Sequence, residues 1–171
     1  KLLACDVITR EVCHCIARSA HTIDPQFTPK GEHNASANLR ALLQAQIDAV
    51  AAGNVEYDAV LLGYGLCGNS TLGLEARRFP LVIPRAHDCT TLFLGSKEAF
   101  QEHFGPNPSQ TWASVGYSER GGSVLSDSST RDWLGGSQSF AELAAIYGEE
   151  NAQFILDTLR VTHDSDSIWF I

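Results

Sequence analysis

Tyr57 to Leu62 reads YDAVLL, a short and largely apolar run that stops at the glycines of GYG. A strand with one wet face alternates apolar and polar residues, so a continuous run of this length is expected of a strand covered on both faces, as in a parallel sheet under helices. Leu81 to Pro84 repeats the pattern, and both runs are read as central parallel strands. Lys1 to Val7 opens with a further apolar run that ends at Cys5 and Asp6, and Thr9 then begins a segment (Glu11, Val12, Ile16, Ala17) with helical spacing. His21 to Pro29, HTIDPQFTP, carries β-branched and aromatic residues broken by two prolines, which suits an edge strand leading into a loop over 30–38.

The apolar residues Leu39, Leu42, Leu43, Ile47 and Val50 follow the 3.6-residue period, and Gly53 is placed to end that helix. Ser96 is a candidate cap for a helix through Phe104, with Gly105 as its stop. Residues 118–139 are dense in Ser and Gly and are read as a loop or lid. Ser139 and Glu142 have capping-box spacing before a helix to Tyr147, a further helix is expected over Glu149 to Leu159, and Ile168 to Ile171 reads as a strand. Strands alternating with helices specify an α/β fold with a mainly parallel sheet in a three-layer α/β/α arrangement. No repeat or linker divides the 171 residues, so a single α/β domain over 1–171 is expected.

Composition excludes several classes. Twelve Lys and Arg against 20 Asp and Glu leave a net charge of −8, so the surface lacks the positive field that holds phosphate backbones, and no nucleic-acid partner is expected. Hydrophobic residues at 44% with charged residues at 19% are those of a globular chain rather than a disordered one. Runs such as Ala59 to Leu62 fall far short of the ~20 apolar residues needed to cross a bilayer, and no secretory leader is read at the start, so no membrane association and a cytoplasmic location are expected. In that reducing setting five cysteines are better read as buried side chains, metal ligands or reactive thiols than as a disulfide framework.

Ligands of open parallel sheets bind outside the carboxyl ends of the strands, where the βα connections and helix N-termini converge. Cys5 and Asp6 follow the first strand, His33 the second, Cys67 (in GYGLCGN) the third, and His87, Asp88 and Cys89 (in PRAHDC) the fourth. Thiolate and imidazole are the donors that zinc prefers, in sets of three or four around one point. Cys5, His33, Cys67, His87 and Cys89 are therefore the candidate metal ligands, for zinc or alternatively iron. The competing reading is that these cysteines are inert packing residues. Cys13, His14 and Cys15 diverge around a helix and cannot readily clasp one ion; Cys13 and Cys15 are read as packing residues, and His21, His103 and His163 as surface residues.

Gly63, Gly65 and Gly68 also spell Gly-x-Gly-x-x-Gly after a strand, with Asp88 twenty residues beyond, and this supports a nucleotide-binding alternative. Against it, the motif follows the third strand and leaves little room for a crossover helix. The glycines equally serve to turn the backbone around Cys67. Arg85 could hold a carboxylate or phosphate of a small-molecule substrate, Tyr64 could donate a proton, and Glu11 could act as acid or base or simply sit favourably on a helix dipole.

The strings YDAVLLGYGLCGN, PLVIPRAHDCTTLFLGS and YGEENAQFILDTL resemble a bacterial and archaeal domain-of-unknown-function family across most of the chain. The resemblance implies a cysteine-rich protein encoded near corrinoid-dependent methyltransferase systems, hence one-carbon or methyl-transfer metabolism with a corrinoid protein as partner. The motif cysteines of that family match Cys5, Cys67 and Cys89, and its motif histidines match His33 and His87. The family continues through further C-terminal strands and helices, which implies a domain that is incomplete beyond Ile171. The leading expectation is thus a zinc-binding protein with a Cys/His site at the carboxyl edge of its sheet, a metal-dependent methyltransferase-type enzyme. The alternatives are a non-catalytic metal or corrinoid accessory protein and a nucleotide-binding enzyme using the GYGLCG turn.

Overall fold

The computed structural model describes residues 1–30, 35–106, 110, 112–120, 140–154 and 169–171. These fall into two compact units, Lys1–Phe100 and Gln101–Ile171.

The first unit is built on four parallel strands, β1 (Leu2–Cys5), β2 (Pro25–Thr28), β3 (Val60–Gly63) and β4 (Leu81–Val82), in the order β2-β1-β3-β4. The register sets Leu2 against Pro25 and Leu61, and Cys5 against Thr28. A 3-10 turn over Asp6–Ile8 leads from β1 into α1 (Thr9–Arg18), and α2 (Ser36–Ala52) follows β2. Leu39, Leu43 and Ile47 recur every four residues, so one stripe of α2 is buried. That stripe packs on Leu3, Val60, Leu62 and Tyr64, with Phe79 closing the cluster. Leu3 and Leu62 are register partners, so this cluster lies on one face of the two inner strands under one helix. Gly53 ends α2 as expected, its N–H donating to the carbonyls of Ala49 and Val50.

The parallel α/β architecture and the edge position of β2 are as the sequence implies. The run at Leu81 to Pro84 is not central: β4 lies at the end of the four-strand order, and Val82 and Ile83 are exposed. A continuous apolar run cannot by itself distinguish a doubly covered strand from an edge strand, whereas the proline at its end was the better guide. Two short helices follow, α3 (Cys89–Leu94) and α4 (Lys97–Phe104), the latter begun by Ser96, whose Oγ accepts from the N–H of Ala99 at 3.0 Å.

In the second unit β5 (Trp112–Ala113) pairs in parallel with β6 (Trp169–Phe170). Ser114 caps α5 (Val115–Glu119), and Trp112 meets Tyr117 edge to face at 5.0 Å. α6 (Phe140–Tyr147) ends at Gly148, and residues 149–154 are helical. Residues 121–139 of the expected loop, the capping residue Ser139, His163, Ile168 and the end of the helix expected to Leu159 lie outside the described residues. No helix among the described residues is long and apolar enough to cross a membrane.

Candidate functional site

All four strands of the first unit run the same way, so their carboxyl ends share one edge. Two segments are laid side by side there by backbone hydrogen bonds: the N–H of Leu66 donates to the carbonyl of Ala86 at 3.0 Å, and that of Cys67 to the carbonyl of His87 at 3.2 Å. This extends the β3–β4 pairing and joins GYGLCG to PRAHDC. Gly65 makes the approach possible, because a Cβ there would sit 2.6 Å from the Cα of Asp88.

Beyond Gly65 the chain enters the left-handed region at three consecutive residues, Cys67 (φ 44°), Gly68 (φ 65°) and Asn69 (φ 66°). Glycine and asparagine tolerate this conformation, but a cysteine there costs of order 1 kcal/mol, and such outliers cluster where geometry serves a site. The turn is held by the N–H of Ser70 donating to the carbonyl of Leu66 at 2.9 Å, and by Arg40 of α2, whose Nη2 donates to the carbonyl of Asn69 at 2.8 Å. Cys67 is thereby turned back onto the core cluster, against which Cys5 also packs.

The two thiols share an environment. Loss of water pushes Cys5 up to about 11, with the charge of Asp6 and the proximity of Cys67 adding to it and the N–H of Val7 offsetting it in part. Cys67 is likewise pushed up to about 11 by burial, against the N–H of Gly65 and with the charge of Asp88. Tyr64, also buried and close to both thiols, is held far above the ordinary phenol range by desolvation, although its hydrogen bond to Thr28 works the other way. Without a cation this edge therefore carries neutral thiols and a neutral phenol at physiological pH.

The remaining candidates are placed differently. His87 is 80% exposed, with Nδ1 3.1 Å from Oδ2 of Asp88. Asp88 caps α3, its Oδ1 accepting from the N–H and Oγ1 of Thr91 at 3.0 and 3.1 Å, and Cys89, half-buried, is the first residue of that helix. Arg85 is exposed at the edge, Glu11 is exposed on α1, and His33 lies outside the described residues. Among the described residues no group of three or more His, Cys, Asp and Glu side chains is arranged to hold a metal ion. The stretch from Tyr64 to Pro80 contains turns and no helix, so Gly63, Gly65 and Gly68 do not open one; the next helix belongs to the Asp88 cap. Cys13 and Cys15 are exposed and no residue of α1 is buried, which corrects the packing role expected of them: an amphipathic pattern shows which face could be covered, not that it is. His21 and His103 are exposed as expected.

Sequence reasoning overlooked Thr28, for which no local signal exists, and the capping role of Asp88, which the Asp three residues before Thr91 could have signalled. A family model described as a protein of unknown function (DUF1638) matches residues 27–165. The chain belongs to the DUF1638 family. The DUF1638 match takes in Thr28, His33, Tyr64, Cys67, His87 and Cys89, and begins after β1 and Cys5. No curated protein and no solved structure matches the chain.

Proposed function

We propose that the carboxyl edge of the four-stranded sheet is a thiolate metal site for zinc, with iron as the alternative, organised on Cys5 and Cys67. The observation that carries this reading is that two half-buried cysteines, distant in sequence, pack against one cluster at the edge where parallel sheets bind ligands. Two soft donors in a partly desolvated site suit a borderline-soft cation, whose charge replaces the thiol protons. His33, on the connection from β2 to α2, His87, whose carbonyl accepts from the N–H of Cys67, and Cys89, two residues further on, are the candidates for the remaining positions.

A bound zinc ion supplies Lewis acidity, polarising a substrate thiol or a water. The chain's own groups would do the rest. Arg85, exposed at the edge, offers a guanidinium to an anionic part of a small-molecule substrate, and Tyr64 and the core cluster form an apolar wall against which the two cysteines pack. Methyl transfer with a corrinoid protein, in a cytoplasmic setting where thiols stay reduced, is the chemistry suggested by the motif resemblance.

Elemental analysis of protein purified without added ions tests the reading, with about one metal ion expected per chain. Cys67→Ser should abolish uptake, whereas Cys13→Ser, on the exposed face of α1, should not. Equal retention by both variants defeats the ligand assignment. Cobalt substitution followed by thiol addition separates an open, catalytic site, whose spectrum changes, from the closed site of an accessory protein.

A further inference from the structure

At the other end of the sheet from Cys5 and Cys67, where β1 begins and α2 ends, the first unit carries an open cavity of about 400 Å³. Lys1 and Gln26 line it from the strands, Gln46 from α2, and Val55 and Tyr57 from the connection to β3. The helix explains the space. Ala45, Ala49 and Gly53, which also line the cavity, follow one another at four-residue spacing, so a row of α2 beside the buried stripe carries nothing larger than a methyl. Gln26 is the register partner of Leu3 and therefore stands on the sheet face beneath α2, next to that row.

The polar groups of the lining select a ligand. The side chain of Lys1 is only 13% exposed, and its Nζ donates to Oδ2 of Asp24 at 3.2 Å; the hydroxyl of Tyr57 donates to the same oxygen at 2.6 Å. One carboxylate thus holds both groups in place and neutralises the ammonium. Two glutamine amides and the ring of Tyr57 remain. The buried Oε1 of Gln46 has no hydrogen-bond partner among the described residues, and an acceptor left so is costly until a donor is supplied. An amide offers an N–H beside a carbonyl, the complement of the amino group and neighbouring ring nitrogen of adenine, and an aromatic side chain suits the flat face of a base.

We propose that this cavity binds an adenine ring carried by a nucleoside rather than by a nucleotide. Its volume lies in the range of small-molecule sites, and Lys1, the one cation among the described lining residues, is already paired and gives a phosphate no counter-charge. The site is separate from the proposed metal centre and from the GYGLCG turn, both at the carboxyl edge, and depends on neither.

Equilibrium dialysis of the full chain against adenosine and against AMP tests this. Adenosine should saturate one site per chain, and AMP should bind more weakly. Gln46→Leu should weaken adenosine about tenfold, the loss of hydrogen bonding to one amide. Ala49→Leu, at an exposed position of α2, keeps a good helix former and fills the cavity; it should abolish adenosine binding and leave the unfolding midpoint unchanged. Cys67→Ser should bind adenosine as the wild type does, so a chain that takes no zinc yet binds adenosine loses the metal reading and keeps this one. No saturable adenosine binding overturns the proposal. So does binding that survives Ala49→Leu and Gln46→Leu, binding lost in Cys67→Ser, which would place the ligand at the GYGLCG turn, or AMP binding as tight as adenosine.

Discussion

At the scale of single residues, the site depends on a few positions with no freedom to change. Gly65 is one, since a Cβ would meet the Cα, N and C of Asp88 at 2.6 to 2.9 Å, and backbone atoms cannot rotate away as a side-chain end would. Gly65→Ala is therefore expected to lower stability by more than about 2 kcal/mol and to separate the GYGLCG and PRAHDC segments, measured by denaturant unfolding. Cys67 is another, because its left-handed backbone turns the chain so that it packs against the same cluster as Cys5. Burial keeps both thiols protonated up to about 11, so a divalent ion must displace two protons to bind. Zinc affinity should rise with pH, by as much as ~100-fold per unit through the neutral range, which competition with a chelator of known affinity would measure. A pH-independent affinity would mean that the thiols are not the ligands.

The elements carry different shares of the scaffold. α2 supplies Leu39, Leu43 and Ile47 to the core, all essentially inaccessible to water. Leu43→Ala removes a fully buried side chain from the middle of that stripe and is expected to cost about 2–5 kcal/mol in unfolding free energy. α3 is only Cys89–Leu94 and leans on its cap, so Asp88→Ala, which removes both bonds to Thr91, should cost about 1 kcal/mol and free His87 from its carboxylate neighbour. A Leu43→Ala loss no larger than that of Asp88→Ala would contradict the division between core helix and capped turn. α1 contributes no buried side chain, so substitutions along Glu11, Cys13 and Cys15 should leave the unfolding midpoint of the first unit unchanged.

At the scale of the whole molecule, the buried thiols tie global stability to pH. In the unfolded chain they ionise near the ordinary value of 9.0, whereas in the folded protein they hold their protons until about 11. The stability they confer is fully present below about pH 9 and is lost as pH rises through about 11, by on the order of 2 kcal/mol per thiol. Tyr64, raised for the same reason, acts in the same direction. Denaturant midpoints at about pH 8 and about pH 10.5 should show this fall, and it should shrink in Cys5→Ala and Cys67→Ala.

The periodicities of the chain suffice to read the parallel sheet, the edge position of β2, the α2 stripe and the Ser96 and Gly53 boundaries, because each rests on local spacing that any packing must honour. The same logic locates the candidate edge: strands that all run one way put Cys5, Cys67 and the PRAHDC segment at the carboxyl end of the sheet. Which of those side chains face one another is a different matter. It depends on register between distant strands, on a left-handed turn at Cys67 to Asn69 and on the pairing of Leu66 and Cys67 with Ala86 and His87, none of which leaves a periodic trace. So too for Thr28, an unremarkable residue of an edge strand until Tyr64 reaches it across β1. Sequence spacing thus determined the parallel sheet and its carboxyl edge, because those follow from contacts along the chain; the tertiary fold alone decided that Cys5 and Cys67 pack on one cluster and that Thr28 bonds Tyr64, because those follow from contacts across it.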